Sequence, residues 1–555
     1  MGKMKTRYYF MIIILFSFTS IIYSQKISKD SLIHDIRQLS NILETSHPDP
    51  YIRGGGKMAY NERLHKLMIS VPDSGMAKTE FQKLLLPFVA SVGDGHTRIQ
   101  VFYERNEKQP GGIPLLFKII EKSLYVAAVA DPQDEYLIGS LLLSIENIPF
   151  KDIYTRVISL RGVDNEYGGL ELLEGKEYLW YKEQLQDLIP EWQNKNSITI
   201  KLKFPEGEEK EITLSTILQM DKPLISTETI INLPSTEKCE FNYGFLNNNP
   251  KIAILKVDGM SGFRENYELV GLENEYQLNG AKYYYKMFNG KDAPENKAEI
   301  IQGIPSATEK FKSLVSEMKK SKTEALIIDL RGDGGGNSTL GQFLIYYLFG
   351  KTALIKNLSG KSGYENIKFS KLYFEQNPNE TLNKINENSE VNLLTDDYWF
   401  EELDEKEVKK DSAEIYNEFD EFYKRIPTFY KEYKSGAFSK YYCPPKLFVI
   451  CSPQTYSSGF TMMKMLNEMG AILIGTPSSQ AGNNAGWILN YRLDNTRLNG
   501  WVACKYYTLL SDKIINGVYM PDYLLTYARL SEYNFDPNAE IKYALEINKL
   551  PSRFP

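Results

Sequence analysis

The sequence predicts a mixed α/β fold, because apolar strand-like runs alternate with helical spacing in its C-terminal half. Residues 251–257 (KIAILKV) and 325–330 (ALIIDL) are short, rich in branched aliphatic residues and bounded by polar turns, as buried strands are. Residues 308–319, which lie between them, repeat apolar side chains at intervals of three and four, which predicts a helix. This order places an α/β domain at 221–555. Two polar stretches of this domain are predicted insertions, at about 260–303 and 361–442.

Two smaller domains are predicted before the α/β domain. Helical spacing recurs in three segments, at residues 30–43, 60–69 and 79–89. They predict an N-terminal helical domain over 25–108, which ends at the glycine-rich turn around His96. Strand-like runs recur at 113–120, 123–130 and 140–145. They predict a β-rich domain over 109–220. Within it, residues 139–150 resemble the glycine turn and hairpin of PDZ domains, which bind an extended peptide at a sheet edge; a generic hairpin is the alternative.

Length and composition narrow the class of protein. With 555 residues, of which 42% are hydrophobic, the chain is long enough to bury several cores. A net charge of −6 without basic clusters gives no support to nucleic-acid binding. The four cysteines are too few and too scattered for a disulfide framework, and because they form no CxxC pair a zinc site is not expected. A pairing of Cys443 with Cys504 stays open.

The first 24 residues are typical of a secretory signal peptide. Lys3, Lys5 and Arg7 precede an apolar run at 8–23, and Ser24 is a small residue before the expected cleavage point. An uncleaved anchor is the alternative, although the run is shorter than the about 20 residues that span a bilayer. We expect an exported protein, periplasmic or secreted, with no stable membrane insertion after cleavage.

The segment 446–470 (KLFVICSPQTYSSGFTMMKMLNEMG) carries the first candidate for chemistry. An apolar run ends at Pro453, crosses a turn and becomes helical. A serine between a buried strand and a helix N-terminus, such as Ser457, is exposed and faces backbone N–H groups, as a nucleophile requires. A helix cap is the alternative, and the adjacent Ser458 is the second candidate nucleophile.

A glycine-rich turn at 332–336 carries the second candidate. Glycines let a backbone approach a ligand closely and aim its amides inward. No GK[ST] or GxGxxG pattern completes the turn, which argues against a phosphate or dinucleotide loop. Asp329 and Arg331 are expected to pair and hold the turn.

Five short motifs occur in order along the chain: 93–97 (GDGHT), 329–336 (DLRGDGGG), 455–458 (TYSS), 475–477 (GTP) and 517–522 (GVYMPD). Together they resemble the serine peptidase family of C-terminal processing (tail-specific) and tricorn-type proteases. The resemblance implies a catalytic domain with a crotonase/ClpP-like β-α superhelix, a polypeptide substrate and no metal or organic cofactor. It specifies no oligomeric state.

The resemblance also implies roles for particular residues. Ser457 matches the family nucleophile, and the amides of Gly335 and Ser458 match the oxyanion hole. One such preset donor is typically worth about 3 kcal/mol of barrier. Asn483 and Asn484 are candidates for lining the cleft, and as ordinary turn formers they are equally candidates for structural roles.

The base departs from the tail-specific branch. That branch uses a lysine at the place of Gly482, and here no lysine lies between Lys464 and Lys505. Histidine is neutral near physiological pH and accepts a hydroxyl proton, and His96 matches the histidine of the tricorn-type branch. The other three histidines are expected in exposed positions, on helices or in a loop: His34, His47 and His65.

The acidic group that orients the imidazole stays open. The glutamate of the tricorn-type branch falls at Ile514 here. Four carboxylates are candidates: Asp94, Asp512, Asp522 and Glu540. A Ser–His dyad is the alternative.

The sequence therefore predicts an exported serine peptidase that forms an acyl-enzyme at Ser457, with His96 as general base. A non-catalytic ligand- or peptide-binding protein on the same scaffold is one alternative. An esterase or amidase that uses the same residues is the other.

Overall fold

A computed structural model describes most of the chain. It covers residues 26–101, 111–174, 178–193, 195–216, 224–227, 231–359, 363–378, 380–387, 398–401, 412–436 and 442–549. The predicted signal peptide lies outside these residues, and so do parts of the predicted insertion at 361–442. Within them the fold is mixed α/β, as predicted, and none of the helices combines the length and apolar character that a membrane span needs.

Three helices form the N-terminal part, close to the predicted positions: α1 (Lys29–Ser46), α2 (Gly56–Ile69) and α3 (Lys78–Ala90). The turn that carries His96 follows α3 and leads into β1 (Arg98–Ile99). The helices share a buried apolar cluster with strands from the far end of the chain, where Leu39 and Phe81 meet Leu489 and Val502. The His96 turn is therefore packed against the C-terminal half.

An antiparallel sheet follows, in the order β2-β3-β4-β6-β7 with β5 paired to β4. Its strands are β2 (Leu115–Ile120), β3 (Ser123–Val129), β4 (Leu141–Ile145), β5 (Ile148–Pro149), β6 (Ser197–Lys203) and β7 (Glu209–Ser215). Three helices lie between β5 and β6 in sequence: α4 (Phe150–Leu160), α5 (Glu166–Glu174) and α6 (Lys182–Leu188). Ile153, Leu170 and Leu185 of these helices share one core with Phe117 and Ile200 of the sheet.

The C-terminal half contains the remaining elements. Its strands are β8 (Phe241–Phe245), β9 (Ile252–Val257), β10 (Ala325–Asp329), β11 (Gly363–Lys368), β12 (Tyr398–Glu401), β13 (Lys446–Cys451), β14 (Ile472–Gly475), β15 (Asn484–Arg492), β16 (Asn499–Leu509), β17 (Ile514–Ile515), β18 (Val518–Tyr519) and β19 (Tyr523–Leu524). Its helices are α7 (Arg264–Val270), α8 (Glu275–Asn289), α9 (Lys297–Gln302), α10 (Ala307–Ser321), α11 (Thr339–Phe349), α12 (Lys351–Ser359), α13 (Lys371–Gln376), α14 (Leu382–Glu387), α15 (Ser412–Lys424), α16 (Pro427–Ser435), α17 (Ser458–Glu468), α18 (Tyr527–Glu532) and α19 (Ala539–Lys549). The first predicted insertion thus contains α7, α8 and α9.

The central sheet of this half has the order β19-β14-β13-β10-β9-β8, and all its neighbours are parallel except β8 and β9. In this sheet Asp329 at the end of β10 is in register with Ile450 near the end of β13. Because the carboxyl ends of parallel strands meet at one edge, the glycine turn after β10 and the turn before α17 lie side by side.

A second sheet brings the N-terminal turn to the same edge. Its long central strand, β16, pairs antiparallel with β15 on one side and with β1 and β11 on the other. The register of β1 places Arg98, two residues after His96, opposite Trp501.

Candidate active site

The two predicted turns of the C-terminal half are in direct contact. Gly335 has a left-handed φ of 100°, and a Cβ atom there would lie 2.7 Å from the Ser457 Cβ and 2.8 Å from the Ser458 nitrogen. Only glycine allows this approach. As predicted, Arg331 pairs with Asp329, with 2.8 Å between Nη2 and Oδ2.

Ser457 stands at the N-terminus of α17 in a strained conformation, with φ 53° and ψ −120°. Ser457 occupies the N-cap position, but its side chain makes no capping hydrogen bond to the helix, so its hydroxyl does not act as the cap. Its amide donates to Gln480 Oε1 at 2.6 Å, which anchors the strained residue. A backbone conformation of this cost persists where the surroundings fix it, and such residues cluster at functional sites.

The hydroxyl group of the adjacent Ser458 is engaged in structural hydrogen bonds. The Ser458 hydroxyl donates to the Gly336 carbonyl at 2.7 Å and accepts from the Ser338 hydroxyl at 2.8 Å, and the side chain is buried. Of the two serines, Ser457 is therefore the better candidate for the nucleophile.

The predicted oxyanion amides differ from one another. Ser458 N–H is the first amide of α17 and belongs to the group that finds no acceptor within a helix. Gly335 N–H instead donates to Asp333 Oδ1 at 2.9 Å. Its use as an oxyanion donor stays a prediction, and it requires that bond to be shared or released. Burial, with Glu240 and Asp258 nearby, raises the pKa of Asp333 to about 7.

A cleft of about 630 Å³ runs over these turns. Ser457 and His96 both line it, although they stand far apart in sequence and on different parts of the fold. Its walls also include Trp487, Ile488 and Trp501 from the second sheet. Ser457 and His96 line a second, adjoining cavity as well. The structure thus brings the predicted nucleophile and the predicted base to one opening.

The His96 ring lies on the ring of Tyr456, the residue before the nucleophile. The ring centres are 4.7 Å apart, and the Tyr456 hydroxyl is 3.1 Å from His96 Nδ1. The same hydroxyl donates to Asp164 Oδ2 at 2.6 Å. Asp164 is buried in the connection between α4 and α5, so this connection approaches the candidate base.

Neither partner of His96 was among the predicted site residues. Tyr456 lies inside the TYSS motif, and its position next to Ser457 was the one available signal. Asp164 stands in a polar stretch, RGVDNE, without a pattern that marks it.

Asp94 of the GDGHT motif serves a different histidine. One of its oxygens accepts from the amides of His96 (2.7 Å) and Thr97 (2.8 Å), and the other lies 2.9 Å from His47 Nε2. Burial alone would raise the pKa of Asp94, but the hydrogen bond from His47, the neighbouring imidazoles and Thr97 lower it to about 2. The prediction of an exposed His47 is wrong, because its side chain is buried against this carboxylate.

The other predicted carboxylates are engaged with basic side chains or exposed. Glu540 pairs with Arg331 at 2.9 Å, and Asp522 pairs with Lys513 at 2.5 Å. Asp512 is exposed. Within the described residues, none of the four candidate carboxylates is hydrogen-bonded to the His96 ring.

The remaining candidates have structural partners. Asn484 is buried and accepts from Gln480 (3.3 Å), whereas Asn483 Oδ1 accepts from the Leu509 amide (3.0 Å). His34 and His65 are exposed on α1 and α2, as predicted. All four cysteines are free thiols, so the structure does not pair Cys443 with Cys504. Within the described residues, no group of three or more His, Cys, Asp or Glu side chains is arranged to hold a metal ion.

Comparison with known proteins finds one matching family model and several similar folds. Residues 288–518 match the family model of peptidase family S41. No curated protein sequence is significantly similar to the chain. Among solved structures, mature CPAF is similar with a TM-score of 0.52 at 13% identity, covering 94% of this chain and 99% of that one. Mature CPAF complexed with lactacystin gives a TM-score of 0.51 at 13% identity, with 94% and 98% covered. At this identity the likeness shows a shared fold.

Proposed function

We propose that this serine-type peptidase of family S41 is an exported enzyme. In its active site, Ser457 is the nucleophile and His96 is the general base. The observation that carries the proposal is the strained Ser457 on the wall of the cleft that His96 also lines. The hydroxyl groups of Ser338 and Ser458 are used in other hydrogen bonds, whereas the Ser457 side chain makes no capping hydrogen bond to α17.

The proposed reaction begins with attack of Ser457 Oγ on the carbonyl carbon of a peptide bond, while His96 takes the hydroxyl proton. The Ser458 amide, with the Gly335 amide once it leaves Asp333, would donate to the developing oxyanion. His96 then gives its proton to the leaving amine, and an acyl-enzyme remains on Ser457. Water, deprotonated by His96, releases the second product.

A polypeptide substrate follows from the peptidase family. The cleft is open along the turns and walled by aromatic side chains of the second sheet, which suits an extended chain. The predicted signal peptide supports activity in the periplasm or outside the cell. Residues 161–164, in the connection between α4 and α5, border the cleft, and a PDZ-like role of the neighbouring antiparallel sheet in holding the peptide is part of this proposal.

A fluorophosphonate probe tests the nucleophile. The mature protein should become labelled, and peptide mapping should place the adduct on Ser457 rather than Ser458. Ser457→Ala should lose the labelling and the cleavage of an unfolded protein, whereas Ser70→Ala, an exposed serine after α2, should retain both. Absence of labelling and of cleavage in the unaltered protein would contradict the proposal and favour a binding function. Labelling with hydrolysis of esters alone would favour an esterase.

A further inference from the structure

We propose that Tyr456 and Asp164 form the relay that orients His96, in the place where a triad carries one carboxylate. The relay is the chain His96 Nδ1, Tyr456 Oη and Asp164 Oδ2, with distances of 3.1 and 2.6 Å. It rests on the proposed function, because it assigns the third member of the same site. Tyr456 and Asp164 are positioning residues, since they act through the imidazole.

Proton counting fixes the direction of the relay. A tyrosine hydroxyl has one proton, and the short bond to the Asp164 carboxylate uses it. The Tyr456 oxygen is then an acceptor toward His96, so His96 Nδ1 carries a proton and donates it. Nε2 of the neutral ring is left with its lone pair, which is the form that takes a proton from Ser457.

The environment acts on the protonation state of both relay groups. Burial and the adjacent Asp164 raise the pKa of Tyr456 well above its usual value, so the phenol stays protonated. Both oxygens of Asp164 face donors, since Oδ1 accepts from the Gly95 amide at 3.1 Å. This arrangement favours the carboxylate, against the burial that raises the pKa of Asp164. Its negative charge lies one hydroxyl away from the imidazole that becomes positive during the reaction.

The glycine before His96 is fitted to the relay. A Cβ atom at Gly95 would lie 2.3 Å from the Tyr456 hydroxyl oxygen, so any side chain there displaces that hydroxyl. The same residue donates its amide to Asp164. The GDGHT turn, the residue before the nucleophile and the α4–α5 connection are therefore built around one hydroxyl group.

Two substitutions separate the links of the relay. Tyr456→Phe keeps the ring under His96 and removes only the hydroxyl. Asp164→Asn keeps the shape, but its amide N–H₂ can donate to Tyr456, which turns the hydroxyl proton toward His96 Nδ1 and forces the ring proton onto Nε2. A triad carboxylate changed to its amide in this way gives the wrong tautomer and a large loss of rate. Tyr243→Phe is the matched control, because the Tyr243 hydroxyl donates to Glu317 at 2.7 Å, in β8 and outside the cleft.

The first measurement is the rate of fluorophosphonate labelling and of peptide cleavage between pH 5 and 9. We expect Tyr456→Phe to lose about 10²-fold and Asp164→Asn about 10³-fold or more, in kcat rather than KM, while Tyr243→Phe is unchanged. Equal rates in all three variants would overturn the relay. Since this result requires a labelled unaltered protein, it is distinct from a failure of the proposed function.

The second measurement does not depend on catalysis. The chain has four histidines, so ¹⁵N labelling of histidine rings gives a simple spectrum. His96 should show the Nδ1–H tautomer in the unaltered protein, the Nε2–H tautomer in Asp164→Asn, and a mixture in Tyr456→Phe. An Nε2–H tautomer in the unaltered protein would overturn the relay whether or not the protein is labelled.

Discussion

His96 and His47 lie on two sides of the same buried carboxylate, Asp94, and the structure uses them in opposite ways. His47 has both ring nitrogens engaged: Nε2 is 2.9 Å from Asp94 Oδ2, and Nδ1 accepts from the Asp49 amide at 3.1 Å. Of His96, only the backbone amide donates a hydrogen bond to Asp94, and the ring contacts Tyr456 and lines the cleft. A histidine with both nitrogens satisfied holds structure, whereas one with a nitrogen left over can move a proton.

The contrast extends to burial. The His47 side chain is 5% exposed, and it shields the Asp94 carboxylate from water. His96 lies at the surface of the cleft, where substrate can reach it. His47 thus packs against Asp94 of the GDGHT turn, and His96 of the same turn lines the cleft.

His96→Ala should have the largest effect, and chiefly on activity. Loss of the base should lower the rate of peptide cleavage by about 10³-fold or more, because His96 is the one histidine that lines the described cleft. The free energy of unfolding should fall by only about 1 kcal/mol, the worth of one hydrogen bond. His65→Ala, an exposed histidine on α2, is the control. A His96→Ala protein that keeps its rate would remove His96 from the mechanism.

His47→Ala should reverse this pattern and act on stability. It removes one hydrogen bond to the buried Asp94 carboxylate, which should cost about 2 kcal/mol in the free energy of unfolding, as expected for a hydrogen bond to a charged group. Denaturant unfolding measures the loss, and His65→Ala again serves as the control. The protein that remains folded should retain labelling at Ser457 within about one order of magnitude, since His47 touches no reacting atom. A loss of labelling as large as that of His96→Ala, at full stability, would show that the two histidines share the chemistry.

The same two histidines show what the sequence could predict. The GDGHT, DLRGDGGG and TYSS motifs predicted His96 and Ser457 as catalytic candidates, because residue order along the chain is visible in sequence, and the two residues line one cleft. The burial of His47 was not visible, since it comes from packing between its loop and a turn 47 residues away. The group that we propose to orient His96 was missed for the same reason: Asp164 lies in the connection between α4 and α5, and no local pattern indicates its approach to Tyr456.

For the fold as well, local features were predicted and long-range pairing was not. Locally periodic elements such as α1, α10, β9 and β10 were found near their observed ends, because their apolar spacing is a local property. The short strand β1 (Arg98–Ile99) instead owes its conformation to its pairing with β16. Such pairing with a distant strand depends on the assembled fold, and no local pattern indicates it.

Asp94 provides the smallest effect and the finest test of the comparison. Its pKa is lowered to about 2 in the folded protein, so its contribution to stability is complete above its unfolded value and is lost as pH falls toward the folded value. Between pH 5 and pH 3 the free energy of unfolding of the unaltered protein should fall by about 1 kcal/mol more than that of Asp94→Asn, which has no charge to titrate. Asp512→Asn, an exposed change, should follow the unaltered protein. Because His47 bonds the carboxylate and His96 bonds it only through its amide, His47→Ala should reduce this acid-dependent difference while His96→Ala leaves most of it. Equal reductions by the two variants would mean that both rings, and not His47 alone, stabilise the Asp94 charge.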